Sequence, residues 1–138
     1  MMRGLPPRMT ATSKPYWDGL GRGEVVLQHC TACDRKVFYP RPFCPHCTSP
    51  SLDWRAVDGR ASLYTFTIAE VPVSAAFAHL DRPILAVAEI EGVHIPTTLV
   101  DTDIDQVSIG MALDPVFDAA TYPGLTLLRF KPAADGRA

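Results

Sequence analysis

Long apolar runs are missing from this sequence. No stretch approaches the roughly 20 apolar residues that a membrane-spanning helix needs. The opening MMRGLPPRMTATSKP has no apolar segment of the kind that makes a signal peptide. The expected setting is the cytoplasm, where thiols stay reduced. Also missing are a G-x-S-x-G turn, a phosphate-binding loop and a dinucleotide fingerprint. Basic residues are scarce after position 60. Residues 61–128 hold one, Arg82, against nine acidic residues, whereas residues 1–60 hold nine basic against five acidic. There is no internal repeat and no low-complexity block.

Cysteine is scarce too, and all four copies sit in one place. The stretch HCTACDRKVFYPRPFCPHCT (29–48) holds two C-x-x-C pairs with ten residues between them. In a reducing compartment such pairs point to metal rather than to disulfides. Each short loop can aim two sulfurs and some backbone N–H groups at one ion, and thiolates surround Zn²⁺ tetrahedrally at about 2.3 Å. Pro45 and the turn-forming Asp34 suit tight knuckles. Cys30, Cys33, Cys44 and Cys47 are therefore the expected ligands of a structural zinc, in a closed site without room for water or substrate. A rubredoxin-like iron site has the same ligand geometry and stands as the alternative metal, with a thiol–disulfide pair behind it. Such a metal stabilises a lobe of about 40 residues, too small for a core of its own. His29 and His46 lie inside the segment and read as surface or supporting residues. With every thiol on the metal, none remains as a nucleophile.

The length fits one domain, or a small domain with an appendage. Residues 1–28 read as an N-terminal arm, mobile over 1–15, followed by a short helix. Tyr16, Trp17 and Leu20 share one face of it. That face packs on the chain's own core or anchors a partner; the sequence leaves both open. Glu24 to Gln28 reads as a strand entering the ribbon (29–57), and Ser51 to Val57 as a strand leaving it, with Trp54 covering the metal lobe. Asp58-Gly59 is a turn signal. Strands follow at 62–71, 83–91, 93–100, 109–118 and 125–132, the second and third joined as a hairpin at Gly92 and the fourth interrupted at Pro115. Five strands with one long loop after the first predict a closed barrel of the OB type over 58–132. The expected fold is thus mostly β, a short helix and a four-cysteine ribbon followed by a five-stranded barrel. The tail 133–138 is expected to be disordered.

No complete enzyme is visible. His79 and Asp81 form the one candidate acid–base couple, and two residues apart in a loop is a weak signal. His94 reads as structural, and DTDID (101–105) as a solvated turn lacking the rest of a calcium loop. An OB barrel with a ribbon brings nucleic acid to mind, but single strands need a positive groove, and the acidic barrel opposes phosphates. Arg35, Lys36, Arg41 and Arg55 on the ribbon could still hold a small anionic ligand, such as a nucleotide-tailed coenzyme, or an acidic protein surface.

The stretches YWDGL (16–20), VLQHCTACDRKVFYPRPFCPHC (26–47), DGRASLYTFT (58–67), RPILAVAEIEG (82–92), IGMALDPVF (109–117) and LLRFKP (127–132) resemble, in order and spacing, the DUF35 family. The resemblance covers nearly the whole chain. It implies a rubredoxin-like zinc ribbon and an OB-fold. It also implies a subunit that accompanies thiolase-superfamily enzymes, or in some cases acyl-CoA hydratases, acting on acyl-CoA thioesters. The partner would supply the catalytic residues, and this chain would serve assembly and help bind the coenzyme A thioester. The family's ligand motif carries over as Cys30, Cys33, Cys44 and Cys47; no catalytic residue does. Some members are fused to a hydratase domain, for which this chain is expected to have no room.

Overall fold

The computed structural model describes residues 4–134. The last residues of the expected disordered tail lie outside that range. Ala133 instead extends the barrel, its N–H donating to the Ala112 carbonyl at 3.0 Å. The first residues of the expected mobile arm lie outside as well. From Gly4 on, the arm makes definite contacts: Gly4 N–H donates to Ala76 O at 2.7 Å. Thr10 and Ser13 bond reciprocally, each backbone N–H donating to the other's hydroxyl at 2.9 and 3.1 Å.

Helix α1 is Lys14–Gly21. Pro15 opens it, with its φ already helical and no N–H to leave unpaired. Gly23, at φ 79°, ends it in the left-handed conformation, with Gly23 N–H on Leu20 O and Glu24 N–H on Gly19 O. Its apolar face, Tyr16, Trp17 and Leu20, is buried. The face belongs to the chain's own core; it is not a free partner anchor.

Strands β1 (Val25–Cys30), β2 (Lys36–Val37) and β3 (Leu52–Val57) form an antiparallel sheet in the order β2-β1-β3. Strands β4 (Ala61–Ile68), β5 (Ile84–Ile90), β6 (Val93–Leu99), β7 (Ala112–Tyr122) and β8 (Leu125–Pro132) close a barrel in the order β4-β5-β6-β8-β7. That is the expected OB arrangement. The β5–β6 hairpin turns through Glu91 and Gly92, both with positive φ (46° and 86°), the two-residue turn whose twist matches the strands. Strand β7 is not interrupted at Pro115. It pairs with β4 only at Ala112 and Leu113, so at Pro115 one side of the strand has no ladder to be deprived of a donor.

One core joins the helix, the base of the ribbon and the barrel: Leu20, Val25 and Leu27 pack with Leu63, Leu113 and Phe130. Full burial of each such side chain contributes about 1.5–3 kcal/mol. A second, small cluster of Cys30, Val37 and Cys44, with Cys33 and Leu52 against it, sits at the ribbon's far end. Leu52 covers that end; Trp54, expected there, packs instead on the main core. β3 alternates faces, and the residue two places nearer the barrel meets the barrel's core. Among the described residues no helix is long and apolar enough to cross a membrane.

Candidate metal centre

Two knuckles of matching construction present the cysteines. Cys30 N–H donates to Arg35 O (2.8 Å) and Asp34 N–H returns to Cys30 O (2.9 Å). Cys44 N–H donates to Ser49 O and Thr48 N–H returns to Cys44 O, both at 2.9 Å. The residue four beyond each first cysteine turns left-handed, Asp34 at φ 62° and Thr48 at φ 65°. This reversal closes each turn one residue past its second cysteine, returning an N–H to the first cysteine's carbonyl.

The four sulfurs lie within 4.8 Å of one another. Cys30 Sγ is 3.6 Å from Cys47 Sγ, and Cys33 Sγ is 3.7 Å from Cys44 Sγ. Those edges are far beyond a disulfide bond of about 2.05 Å. They fit a tetrahedron whose thiolates stand at about 2.3 Å from a central ion, which sets sulfurs roughly 3.8 Å apart. The electrostatics agree. Burial, followed by the neighbouring thiols, pushes the Cys33 thiol up to about 12. At Cys44 burial acts in the same direction, but backbone N–H groups of Cys47 and His46 outweigh it and bring the thiol down to about 7. Four thiolates gathered this closely need a cation among them. The residues are positioned to hold a metal ion, and no further ligand position stands open.

The two histidines of the segment are not in the sulfur cluster. His29 is buried, its Nε2 at 2.7 Å from Asp34 Oδ1 and its Nδ1 at 3.2 Å from Lys36 Nζ. The ammonium can only donate, so Nδ1 accepts and Nε2–H donates to Asp34. His46 Nδ1 stands 3.2 Å from an Arg35 guanidinium nitrogen. Both histidines brace the knuckles, as expected.

The stretch between the knuckles folds back on α1. Buried Gln28 clamps it through both ends of its amide: Nε2 donates to Arg41 O and Oε1 accepts from Arg41 N–H, each at 2.8 Å. Phe38 and Tyr39 then gather around Tyr16, with ring centroids at 5.4 and 6.5 Å, and Trp17 stacks edge-on at 5.0 Å. Between these rings and strands β6 and β8 lies a cleft of about 550 Å³. Nothing in the sequence marked Gln28, because its partner is a backbone group in an irregular loop.

The remaining candidates separate. His79 and Asp81 are both exposed and no hydrogen bond joins them among the described residues. His94 lies on the outer face of β6, stacked on Tyr64 at 4.1 Å with its Nε2 at 3.1 Å from Glu89. Residues 101–103 lead into the short 3₁₀ turn Ile104–Gln106 with Asp101, Asp103 and Asp105 exposed, and no metal-holding group other than the four cysteines occurs among the described residues.

A metal-ready knuckle pair on a β-ribbon, continuous with an OB barrel, defines the class: a ribbon-plus-OB-fold protein. Comparison with known proteins narrows it. Residues 17–53 match the ChsH2 rubredoxin-like zinc ribbon domain, and residues 54–118 the ChsH2 C-terminal OB-fold domain. The structure superposes on a chain of an aldolase described as Ltp2-ChsH2(DUF35) with a TM-score of 0.80 at 29% identity, covering 94% of this chain and 100% of that one. It also resembles a Sulfolobus solfataricus DUF35 protein of unknown function, at a TM-score of 0.65 and 14% identity over 91% of this chain and 87% of the other, a likeness of fold. A Thermomonospora curvata protein named a probable enoyl-CoA hydratase alpha subunit is 33% identical over 132 residues. The match takes in 92% of this chain and 39% of that protein, so the chain spans well under half of its curated relative. The chain belongs to the DUF35 family.

Proposed function

We propose that this chain is the zinc-bearing, non-catalytic subunit of a complex with a thiolase-superfamily enzyme that acts on acyl-CoA thioesters. The ribbon over 29–57 would hold zinc on Cys30, Cys33, Cys44 and Cys47, and the OB-fold domain over 58–132 would serve assembly. The observation that carries this reading is the near-complete likeness to a chain of the Ltp2-ChsH2(DUF35) aldolase, end to end in both proteins. The chemistry of the chain supports it. Its thiols are committed to one cluster, and its one acid–base candidate, His79 with Asp81, is not assembled. Zinc is favoured over iron because a closed, partly buried thiolate site beside β1 supplies structure without requiring redox change. The ion's part is structural: it holds the knuckles closed.

The test is purification of the tagged chain from its host under gentle conditions, with metal analysis of the product. One zinc per chain and a stoichiometric thiolase-superfamily protein are expected. A chain that carries no metal, or that brings no such protein, overturns the reading. A second reading, an accessory subunit of an acyl-CoA hydratase, draws on the Thermomonospora curvata relative; a hydratase in the same purification would select it. Binding of single-stranded DNA at low salt would revive a nucleic-acid role against the acidic barrel.

A further inference from the structure

The loop between β4 and β5 forms an apolar surface that is only partly covered among the described residues, by the N-terminal segment at Gly4 and Leu5. Val71 and Val73 are 76% and 82% exposed, and Leu80 and Leu85 are exposed beside them. Leu80, Leu85, Phe77 and Pro83 wall a pocket of about 280 Å³, and the same four side chains wall an adjoining cavity of about 380 Å³ that reaches Leu5. Scattered apolar residues on a surface are ordinary; a contiguous patch around a preformed pocket marks an interaction site.

The loop is held in place although it is exposed. Arg82 bonds Glu70 through two nitrogens at 3.0 and 2.8 Å. Ala69 N–H donates to Pro83 O at 3.1 Å, closing the loop's base. Gly4 N–H donates to Ala76 O at 2.7 Å, tying the N-terminal segment across it. A surface so braced gives up little conformational entropy when it is covered.

Charge identifies what covers it. Arg82 is the only basic residue between positions 61 and 128, and its charge is taken up by Glu70. Asp81 and Asp105 also lie within electrostatic reach of Arg82. The pocket is therefore apolar at its centre, with Asp81 the acidic group on its wall left over once Arg82 is paired with Glu70; Arg129, on the wall of the adjoining cavity, is itself paired with Asp118. We infer that it docks the partner protein through an apolar side chain seated among Phe77, Leu80, Pro83 and Leu85, flanked on the partner by Lys or Arg opposite Asp81. The assignment rests on the subunit reading above and deepens it by naming the face.

The test uses the full chain and the thiolase-superfamily protein that co-purifies with it, each then purified separately and their rebinding followed at low and high salt. Val73→Asp and Leu80→Asp alter exposed side chains, and circular dichroism checks that both remain folded. Each is expected to weaken rebinding by about tenfold or more. Asp81→Lys is expected to slow association several-fold at low salt, with the effect fading as salt screens it. Phe43→Asp, on the ribbon, and Ile109→Asp, beyond the loop, should stay within about twofold of the wild type. Full-strength rebinding by folded Val73→Asp and Leu80→Asp overturns the docking assignment and leaves the subunit reading standing. A wild-type chain that brings no thiolase-superfamily protein overturns that reading, and the docking assignment falls with it. Self-association of the wild type that Leu80→Asp abolishes, with partner binding intact, gives the patch to a second copy and also overturns the assignment.

Discussion

Arg129 Nε donates to Asp118 Oδ2 at 2.7 Å across the β7–β8 ladder, with the two side chains only 23% and 15% exposed. Asp118 also accepts from the N–H groups of Ala120 and Thr121 at 3.0 and 3.1 Å, where the register of β7 shifts before Tyr122. Burial works against the carboxylate, but the Thr121 hydroxyl, Arg129 and the two backbone donors outweigh it and hold the group well below the usual carboxylate range. Its folded pKa thus lies below the unfolded value of about 3.9. The stabilisation is complete above that unfolded value and is lost as pH falls below it. Asp118→Asn should lower the melting temperature at neutral pH, and the gap should close progressively below about pH 4. Thermal melts of both proteins across that window check the sign; a gap that does not change with pH would assign the effect to hydrogen-bond geometry rather than charge.

Trp17 is buried in the core, and its indole Nε1 is a buried donor without a partner among the described residues. Two costs therefore oppose each other at one residue. Trp17→Ala should destabilise by about 3–5 kcal/mol through the cavity it leaves. Trp17→Phe should cost clearly less, because removing the orphaned donor offsets part of the lost volume. Urea unfolding of both variants decides. Equal losses would mean that the indole N–H finds a partner in solution.

Metal removal should act locally. Val25 and Leu27 of β1 are packed in the main core, while Cys30, Val37 and Cys44 form a separate cluster at the far end of the same sheet. Chelation, or Cys44→Ser, should open the knuckles and leave the base of β1 and the barrel protected. Amide hydrogen exchange is the measurement: residues 30–52 should exchange far faster, with Val25–Leu27 and β4 to β8 little changed. Uniform loss of protection would show that the ribbon and barrel unfold as one unit. No change in either metal content or exchange on Cys44→Ser would remove the metal assignment itself.

What could be read from sequence was what depends on neighbours in sequence. The knuckles are local chemistry, two cysteines and a left-handed residue within five positions, so the gathering of the four cysteines was plain. The Glu91-Gly92 turn is local too, and it gave the β5–β6 hairpin. Pro115 was misread because the cost of a proline in a strand depends on whether another strand lies on that side, a matter of barrel closure. Trp54 was misplaced for a similar reason: alternation gives a face of β3 but not which of two cores that face meets. Tyr16 and Trp17 were left open between core and interface because an apolar helical face looks the same in both. The cleft and the Gln28 clamp left no signal, since each is assembled from segments that only the fold brings together.

The helix–ribbon contact makes a last prediction, because two glycines in one helix should respond oppositely to the same substitution. A methyl at Gly19 would stand 2.6 Å from Val26 Cγ2 and 3.3 Å from the Glu24 carbonyl oxygen, whereas at Gly21 it would meet nothing within 4 Å. Helix propensity alone favours alanine at either site by about 1 kcal/mol. At Gly19 overpacking against a branched side chain and backbone, about 1–3 kcal/mol, should outweigh that gain. Gly19→Ala is therefore expected to lower the urea midpoint and Gly21→Ala to raise it. Val26→Ala should rescue Gly19→Ala in the double variant by removing the methyl it strikes. If Gly19→Ala stabilises the protein as Gly21→Ala does, α1 does not rest against β1 as closely as this packing requires, and the aromatic wall it carries against Phe38 would have to stand further from the barrel.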